Sequence, residues 1–337
     1  MFVIKKNISL KRYNTFGIDV TANYYAKANT VEKVLYAINF ASYNKAPIYV
    51  LGGGSNILLT ANFDGVIINP AVQGIAIVED MPNDVVLRVG AGVCWDSFVE
   101  FCAERDLYGV ENLSHIPGNV GASPIQNIGA YGVEAKDTII KVEGVQVDSR
   151  KTVELNNSEC RFGYRDSIFK QELKGKVIVT YVWFKLSKNS NLQTNYGNLE
   201  DELNRLGDRS LKSVRQAVIN IRTAKLPDPA VVGNAGSFFK NPVVEIDHFE
   251  GIKKKYPNAP SYPVSESFVK VPAGWLIEQC GWKGKRVGNC GVHANQALVL
   301  INYGDATGAE ILNLAKSVQD SVETEFGIKL DMEVNVL

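Results

Sequence analysis

No sign of charge prevails in this chain: 36 Lys and Arg residues stand against 36 Asp and Glu, and the formal net charge is zero. There is also no block of about five or six like charges, which argues against holding a nucleic-acid backbone or an anionic membrane through a general field. Any anionic ligand has to be met locally. Long apolar runs are missing too. The N-terminal stretch MFVIKKNISLKRYN is basic without an apolar segment of signal-peptide length, and no run is long enough to span a bilayer. The expectation is a protein that stays where it is made. Cysteine is scarce, five residues at 94, 102, 160, 280 and 290 with no CxxC spacing, so neither a disulfide framework nor a zinc ribbon is indicated and a reducing cytoplasm fits. The three His, at 115, 248 and 293, show no ligand-like spacing and no HExxH, so no metal site is expected.

What is present is ordinary globular composition, 337 residues of which 45% are apolar and 21% charged. A chain of this length exceeds one comfortable core, and two or three domains are expected. Val31, Val34, Leu35 and Ile38 repeat at the spacing of one helix face, with Asn29 as the expected cap and Glu32 three residues on. Pro47 to Leu51 reads as a short strand running into a glycine-rich loop. Ile75 to Val78 and Val85 to Val89 alternate around a turn at residues 81–84, and Trp95, Phe98, Val99 and Cys102 mark another amphipathic helix. Strands are expected over Val142 to Val147, Thr152 to Leu155 and Val177 to Leu186.

The chain turns polar after Leu186, and a domain boundary is expected near 190. Beyond it, Ser210 heads a helix carrying Leu211, Val214, Val218 and Ile221, and Thr307 with Glu310 opens one that Gly327 closes. Ile328, Leu330, Met332, Val334 and Val336 alternate with polar residues, which predicts a final strand over 328–336.

Four segments stand out chemically. Gly52-Gly53-Gly54-Ser55-Asn56 follows a strand and suits either a plain turn or the approach of backbone N–H groups to a phosphate. It is not the dinucleotide fingerprint, since Ile57 stands where GxGxxG requires its last glycine, and no P-loop Lys-Ser/Thr follows. Residues 114–132 pack Gly, Pro and amides among apolar residues, a composition suited to a buried, backbone-lined slot for a flat or extended ligand, or to a structural crossover. In Cys160-Arg161-Phe162-Gly163-Tyr164-Arg165-Asp166-Ser167 an arginine fork could grip a carboxylate, or Arg165 could simply pair with Asp166 or another surface acid. Gly233 to Pro242 is a second glycine-rich turn. It lacks the GxSxG elbow, so Ser237 is either a structural turn residue or a hydrogen-bond or proton donor, not a hydrolase nucleophile.

Taken together, LGGGSN (51–56), IPGNVGASPIQNIGAYG (116–132), CRFGYRDSIFK (160–170), RTAKLPDP (222–229), GNAGSFFKNP (233–242) and AGWLIEQCGWKG (273–284) closely resemble the UDP-N-acetylenolpyruvoylglucosamine reductase family, in order and over nearly the whole chain. The resemblance implies an α+β fold: a two-subdomain FAD-binding half of the vanillyl-alcohol-oxidase type over 1–190, divided near 70, and a C-terminal α+β substrate-binding domain over 191–337 whose last strand returns Glu333 to the active site. It also implies non-covalent FAD, NADPH as co-substrate, and reduction of UDP-N-acetylglucosamine enolpyruvate to UDP-N-acetylmuramate in the bacterial cytoplasm, by a monomer without nucleic-acid or membrane partners. Asn195-Tyr196-Gly197-Asn198 looks like the tyrosine loop of one subgroup.

By position in these motifs, Arg165 and Glu333 match the pair that holds the developing enolate, with Glu333 carrying or sharing a proton, and Ser237 matches the donor that protonates C2. FAD contacts are implied for Gly52, Gly53, Gly54, Ser55 and Asn56, and for Ile116, Pro117, Gly118, Gly121, Ala122, Ser123, Gln126, Asn127 and Gly129. Substrate contacts are implied for Tyr131, Tyr196, Lys225, Asn241 and Gln296. Two positions depart from the family pattern: Asn335 stands where Arg is expected and Ala122 where Ser is expected. A flavin oxidase on the same cofactor fold would not bleach with NADPH, and a non-catalytic nucleotide-sugar binder would be colourless. These are the two alternative readings.

Overall fold

The computed structural model describes residues 2–337, which form two compact units. The first comprises residues 2–8, 22–53 and 63–224, the second 9–21, 54–62 and 225–337.

Two sheets build the first unit. In one, the strand order is Lys5–Ser9, Thr21–Ala28, Phe63–Pro70, Ile48–Val50, with Phe63–Pro70 parallel to both of its neighbours. Helix α1 (Val31–Tyr43) buries Val34, Ala37, Ile38 and Ala41 among Ala26, Ala28, Val66 and Ile68 of this sheet. Its cap is Thr30, whose side chain accepts the Lys33 amide, rather than the expected Asn29; the Asn29 side chain instead takes the Lys33 ammonium. Both residue types cap well, and only the position where the backbone turns helical decides between them.

The other sheet is antiparallel, in the order Thr152–Asn156, Ile139–Gln146, Val177–Ser187, Asp84–Gly90, Ile75–Asp80. One face carries Leu87, Val89, Val142, Val182 and Phe184 into a core shared with α2 (Trp95–Ala103), whose Phe98 ring lies 4.6 Å from that of Phe184. The alternation legible in these strands sorts polar residues to the opposite face, where Arg88 grips Glu143 through two hydrogen bonds of 2.9 and 2.6 Å. Two further helices, α3 (Leu199–Leu206) and α4 (Leu211–Lys225), bury Leu199, Leu203, Val214, Val218 and Ile221 with Tyr131 and Leu192. That shared apolar cluster is why residues 191–224 fall with the first unit and the break in compactness lies near 225, whereas the composition changes near 190.

The second unit contains an antiparallel sheet in the order Gly233–Ser237, Val299–Asn302, Cys290–Val292, Arg286–Val287. A small sheet of Val243–Glu245, Phe268–Lys270 and Tyr262–Pro263 lies beside the short helices α5 (Ile246–Lys255) and α6 (Ala273–Gln279) in the chain. Helix α7 (Gly308–Phe326) packs on Cys290–Val292 and Val299–Asn302, opened by the expected Thr307–Glu310 capping box and closed by Gly327 at φ 66°.

The predicted final strand is reduced to Asn335–Val336, paired parallel with Ile57–Leu58. Ile328, Leu330 and Val334 are buried as the alternation requires, but Met332 is half-buried and Val336 exposed, and the ladder contact of residues 328–334 is the isolated bridge of Met332 with Phe239. Alternation specifies faces; it does not guarantee a partner strand. Glu333 therefore lies just before the short strand rather than in it. Among the described residues no helix is long and apolar enough to cross a membrane.

Candidate active site

In the first unit the glycine turns come together through backbone. The Asn69 side chain holds the Leu51 and Gly52 carbonyls at 2.6 and 3.1 Å. A Cβ on Gly53 would lie 3.0 Å from the Gly118 Cα, while one on Gly52 would meet nothing within 4 Å. One flank of the loop is thus packed main chain on main chain and the other is open, the arrangement through which peptide groups approach a diphosphate. These residues fit the ribityl-diphosphate chemistry of a flavin dinucleotide.

The stretch after Gly118 is fixed by α2 and the strand before it. Trp95 N–H donates to the Gly118 carbonyl, Val120 N–H to Val93 and Gly121 N–H to Ala91. A Cβ on Gly121 would fall 2.5 Å from that of Ala91, so glycine is required for the approach. Ser123 is buried with its hydroxyl on the Val120 carbonyl at 2.7 Å, whereas Ala122 is exposed. Ile116, Pro117 and Gln126 line the same stretch, half-buried or exposed.

Asn127 is fully buried at φ 47° and joins this loop to the arginine turn: its Nδ2 donates to Glu134 Oε2 and to the Gly163 carbonyl, both at 2.9 Å, and its Oδ1 accepts the Lys136 amide. Within that turn Arg165 sits at φ 53° and donates from Nη2 to the Gly129 carbonyl at 2.6 Å. The neighbouring Asp166 oxygens accept from Ser167 N–H and the Gln171 amide, at 2.9 Å each.

Tyr131, at φ 48°, meets Tyr196 edge-on with ring centroids 6.4 Å apart. Asn112 donates to the carbonyls of both Tyr131 and Gln193, at 2.8 and 2.7 Å, and so ties the tyrosine loop to the glycine-rich one. Burial pushes the Tyr131 hydroxyl up, opposed by the positive charge of Arg222.

Arg222 is the residue that sequence reasoning passed over. Its Nε donates to the His115 carbonyl at 3.1 Å, and burial draws its pKa down, an effect opposed by Tyr131 and reinforced by the charge of Arg165. Arg165, Arg222 and Tyr131 share one electrostatic neighbourhood. The signal was in RTAK, where Arg222 lies three residues before Lys225 and so on nearly the same helix face. Lys225 itself is exposed at the end of α4.

In the second unit Asn234 Oδ1 accepts the Gly236 amide at 2.9 Å, and Gly236 turns left-handed at φ 68° immediately before Ser237. Glu333 N–H donates to the Phe238 carbonyl at 2.8 Å, and Asn56 Nδ2 reaches the Glu333 carbonyl at 3.3 Å. Ser237, Glu333 and the Gly54-Ser55-Asn56 end of the first glycine loop are brought together within this unit. A Cβ on Gly54, at φ 69°, would strike the Tyr13 carbonyl. Asn335, where an arginine was expected, donates from Nδ2 to the Asn56 carbonyl at 3.0 Å and buttresses that loop. Asn241 Oδ1 accepts the Ala273 amide at the start of α6, and Gln296 Oε1 accepts the Leu298 amide at 3.4 Å, so both amides are tied to local backbone.

Residues 228–337 match the sequence profile of the UDP-N-acetylenolpyruvoylglucosamine reductase C-terminal domain, and residues 22–154 match that of an FAD binding domain. A UDP-N-acetylenolpyruvoylglucosamine reductase from Flavobacterium johnsoniae is 48% identical over 337 residues, with 99% of each chain covered. The chain belongs to the UDP-N-acetylenolpyruvoylglucosamine reductase family. The Bacteroides fragilis enzyme of the same name is 46% identical over 99% of this chain and 100% of its own. The crystal structure of the reductase from Thermus caldophilus superposes with a TM-score of 0.68 at 25% identity, covering 100% of this chain and 99% of that one. As a member of the family this α+β protein is an FAD-dependent oxidoreductase of peptidoglycan precursor synthesis, acting on UDP-N-acetylglucosamine enolpyruvate with NADPH.

Proposed function

We propose that Arg165, Glu333 and Ser237 carry the reduction of the enolpyruvyl ether in this chain, and that Gly52–Asn56 together with residues 116–129 hold the flavin. Bound FAD supplies a two-electron carrier between NADPH and the vinyl group. Hydride arriving at C3 leaves negative charge on C2 and on the carboxylate. Arg165 meets that charge with a planar fork, and Glu333, as the neutral acid, adds a hydrogen bond without repelling it. Ser237 delivers the proton to C2, so that one hydride and one proton add across the double bond. Lys225 and Arg222 face the diphosphates as cations, and Tyr131, Tyr196, Asn241 and Gln296 position the sugar and nucleotide.

The observation that supports this reading is the bond from Glu333 N–H to the Phe238 carbonyl, which joins the Glu333 backbone to the residue after Ser237 from a distant part of the sequence. Flavin in the 1–190 half and substrate on 191–337 are supported by the two profile matches. A bacterial cytoplasmic monomer that binds neither nucleic acid nor membrane completes the proposal, supported by the balanced charge and the scarce, unpaired cysteines.

Stopped-flow absorbance separates the half-reactions. Ser237→Ala should leave flavin bleaching by NADPH nearly intact and slow reoxidation by the enolpyruvyl substrate at least ~10²-fold, about 3 kcal/mol or more. Equal slowing of both phases would move the proton donor elsewhere.

A further inference from the structure

His115 is the last residue before the stretch assigned to the flavin, and it is a non-glycine residue at φ 59° with its side chain exposed. A left-handed conformation is unfavourable for a residue with a Cβ and persists only where its surroundings impose it. Both polar groups on either side of that Cα are held. The N–H donates to Asp96 Oδ1 at 2.6 Å, and the carbonyl accepts from Arg222 Nε at 3.1 Å. Asp96 lies in the first turn of α2 and is itself gripped by Arg215, Nη1 to Oδ1 at 2.6 Å and Nη2 to Oδ2 at 3.0 Å, with the Arg215 side chain only 11% exposed. Arg215 and Arg222 are seven residues apart on α4, hence on one face of that helix. The same first turn of α2 donates Trp95 N–H to the Gly118 carbonyl. The chain is therefore fixed at 115 and at 118 by one helix end, and that helix end is fixed by α4.

We propose that Asp96 and Arg215 are positioning residues: their ion pair holds His115 left-handed and thereby sets the path of Ile116–Ser123 toward the flavin. The inference rests on the reading that this stretch contacts FAD. Neither Asp96 nor Arg215 needs to touch the cofactor; they act through the His115 peptide.

The test uses the holoenzyme, with retention of FAD followed by the rise in free-flavin fluorescence on dilution. Asp96→Asn keeps shape and an acceptor but loses the ion pair, and should weaken FAD binding about tenfold, the ratio to which the penalty of one left-handed residue corresponds. Arg215→Lys, which keeps charge without the planar fork, should fall between Asp96→Asn and the native chain. The deciding variant is the double substitution Asp96→Asn with His115→Gly. Glycine adopts φ near 60° freely, so FAD retention should return to within about twofold of His115→Gly alone. Loss of an ordinary structural ion pair would not be repaired by glycine at 115. A double variant that releases FAD as readily as Asp96→Asn, or an Asp96→Asn protein that retains FAD like the native chain, overturns the proposal. Amide exchange over 116–123 with and without FAD checks the underlying reading separately. Absence of flavin-dependent protection there would remove the assignment of the loop whatever the variants do.

Discussion

Asp96 receives a backbone amide and a bidentate guanidinium on one carboxylate. Its partial burial opposes the charged form, but the Arg215 fork and the His115 amide outweigh that, and its carboxyl is held below the ordinary range. Because the folded value lies below the unfolded one, the pair contributes its full stability above about pH 4 and loses it as pH falls through the folded value. Asp96→Asn should therefore lower stability by roughly 1–3 kcal/mol at neutral pH, between the values for exposed and buried pairs. Thermal melts across the acid range should show the gap to the native chain closing at low pH. Asp96 and Arg215 are 119 residues apart in the chain, which is why nothing in the sequence announced their pairing. Arg165 was legible because it sits in a long motif of unusual composition. Arg222 was not, because a lone arginine in a helix reads as a solvated face until its neighbours are known.

At the level of elements, the start of α7 offers two substitutions of very different weight on adjacent residues. Thr307→Ala removes one side of a reciprocal cap, in which Glu310 N–H donates to the Thr307 hydroxyl at 3.2 Å and Glu310 Oε2 accepts the Thr307 amide at 2.7 Å, and should cost about 1 kcal/mol. Gly308→Ala places a methyl 1.8 Å from the Leu59 carbonyl oxygen. No rotamer relieves a Cβ, so the backbone must shift, and a loss of about 3 kcal/mol or more is expected. Urea midpoints of the two variants provide the comparison. This capping box was readable in advance, as were the hairpin strands and α2, because each is a local pattern with a local cause. Local patterns fell short where the outcome depends on a partner. The alternation over 328–336 gave the buried positions Ile328, Leu330 and Val334, with Met332 only half-buried, yet could not say that Asn335–Val336 is the part that finds a strand to pair with. Helix α3 escaped notice because eight residues following a polar, glycine-containing loop give too short a period to stand out.

At the scale of the whole chain, the second unit is not a contiguous piece of sequence. Residues 9–21 supply the Phe16 carbonyl that Asn302 Nδ2 binds at 2.9 Å and the Thr15 carbonyl that accepts the Asn234 amide at 3.1 Å. Residues 54–62 supply the strand partner of Asn335–Val336. A fragment of residues 225–337 alone should consequently lack cooperative unfolding and give a flat near-ultraviolet circular dichroism spectrum, even though a family profile fits nearly all of it.

The pairing of residues 57–58 with 335–336 also has a kinetic meaning. The Thr60 amide and hydroxyl both reach the Leu337 carbonyl across 277 positions of chain, and the closure entropy of so large a loop favours late formation. Contacts made after the rate-limiting step act on the reverse rate alone. Val334→Ala, at a buried position next to this seam, should steepen loss of the native state in denaturant jumps while the refolding limb of the chevron stays in place. Residues 334–337 would then serve as a clasp, determining how long the assembled unit endures rather than how quickly it forms.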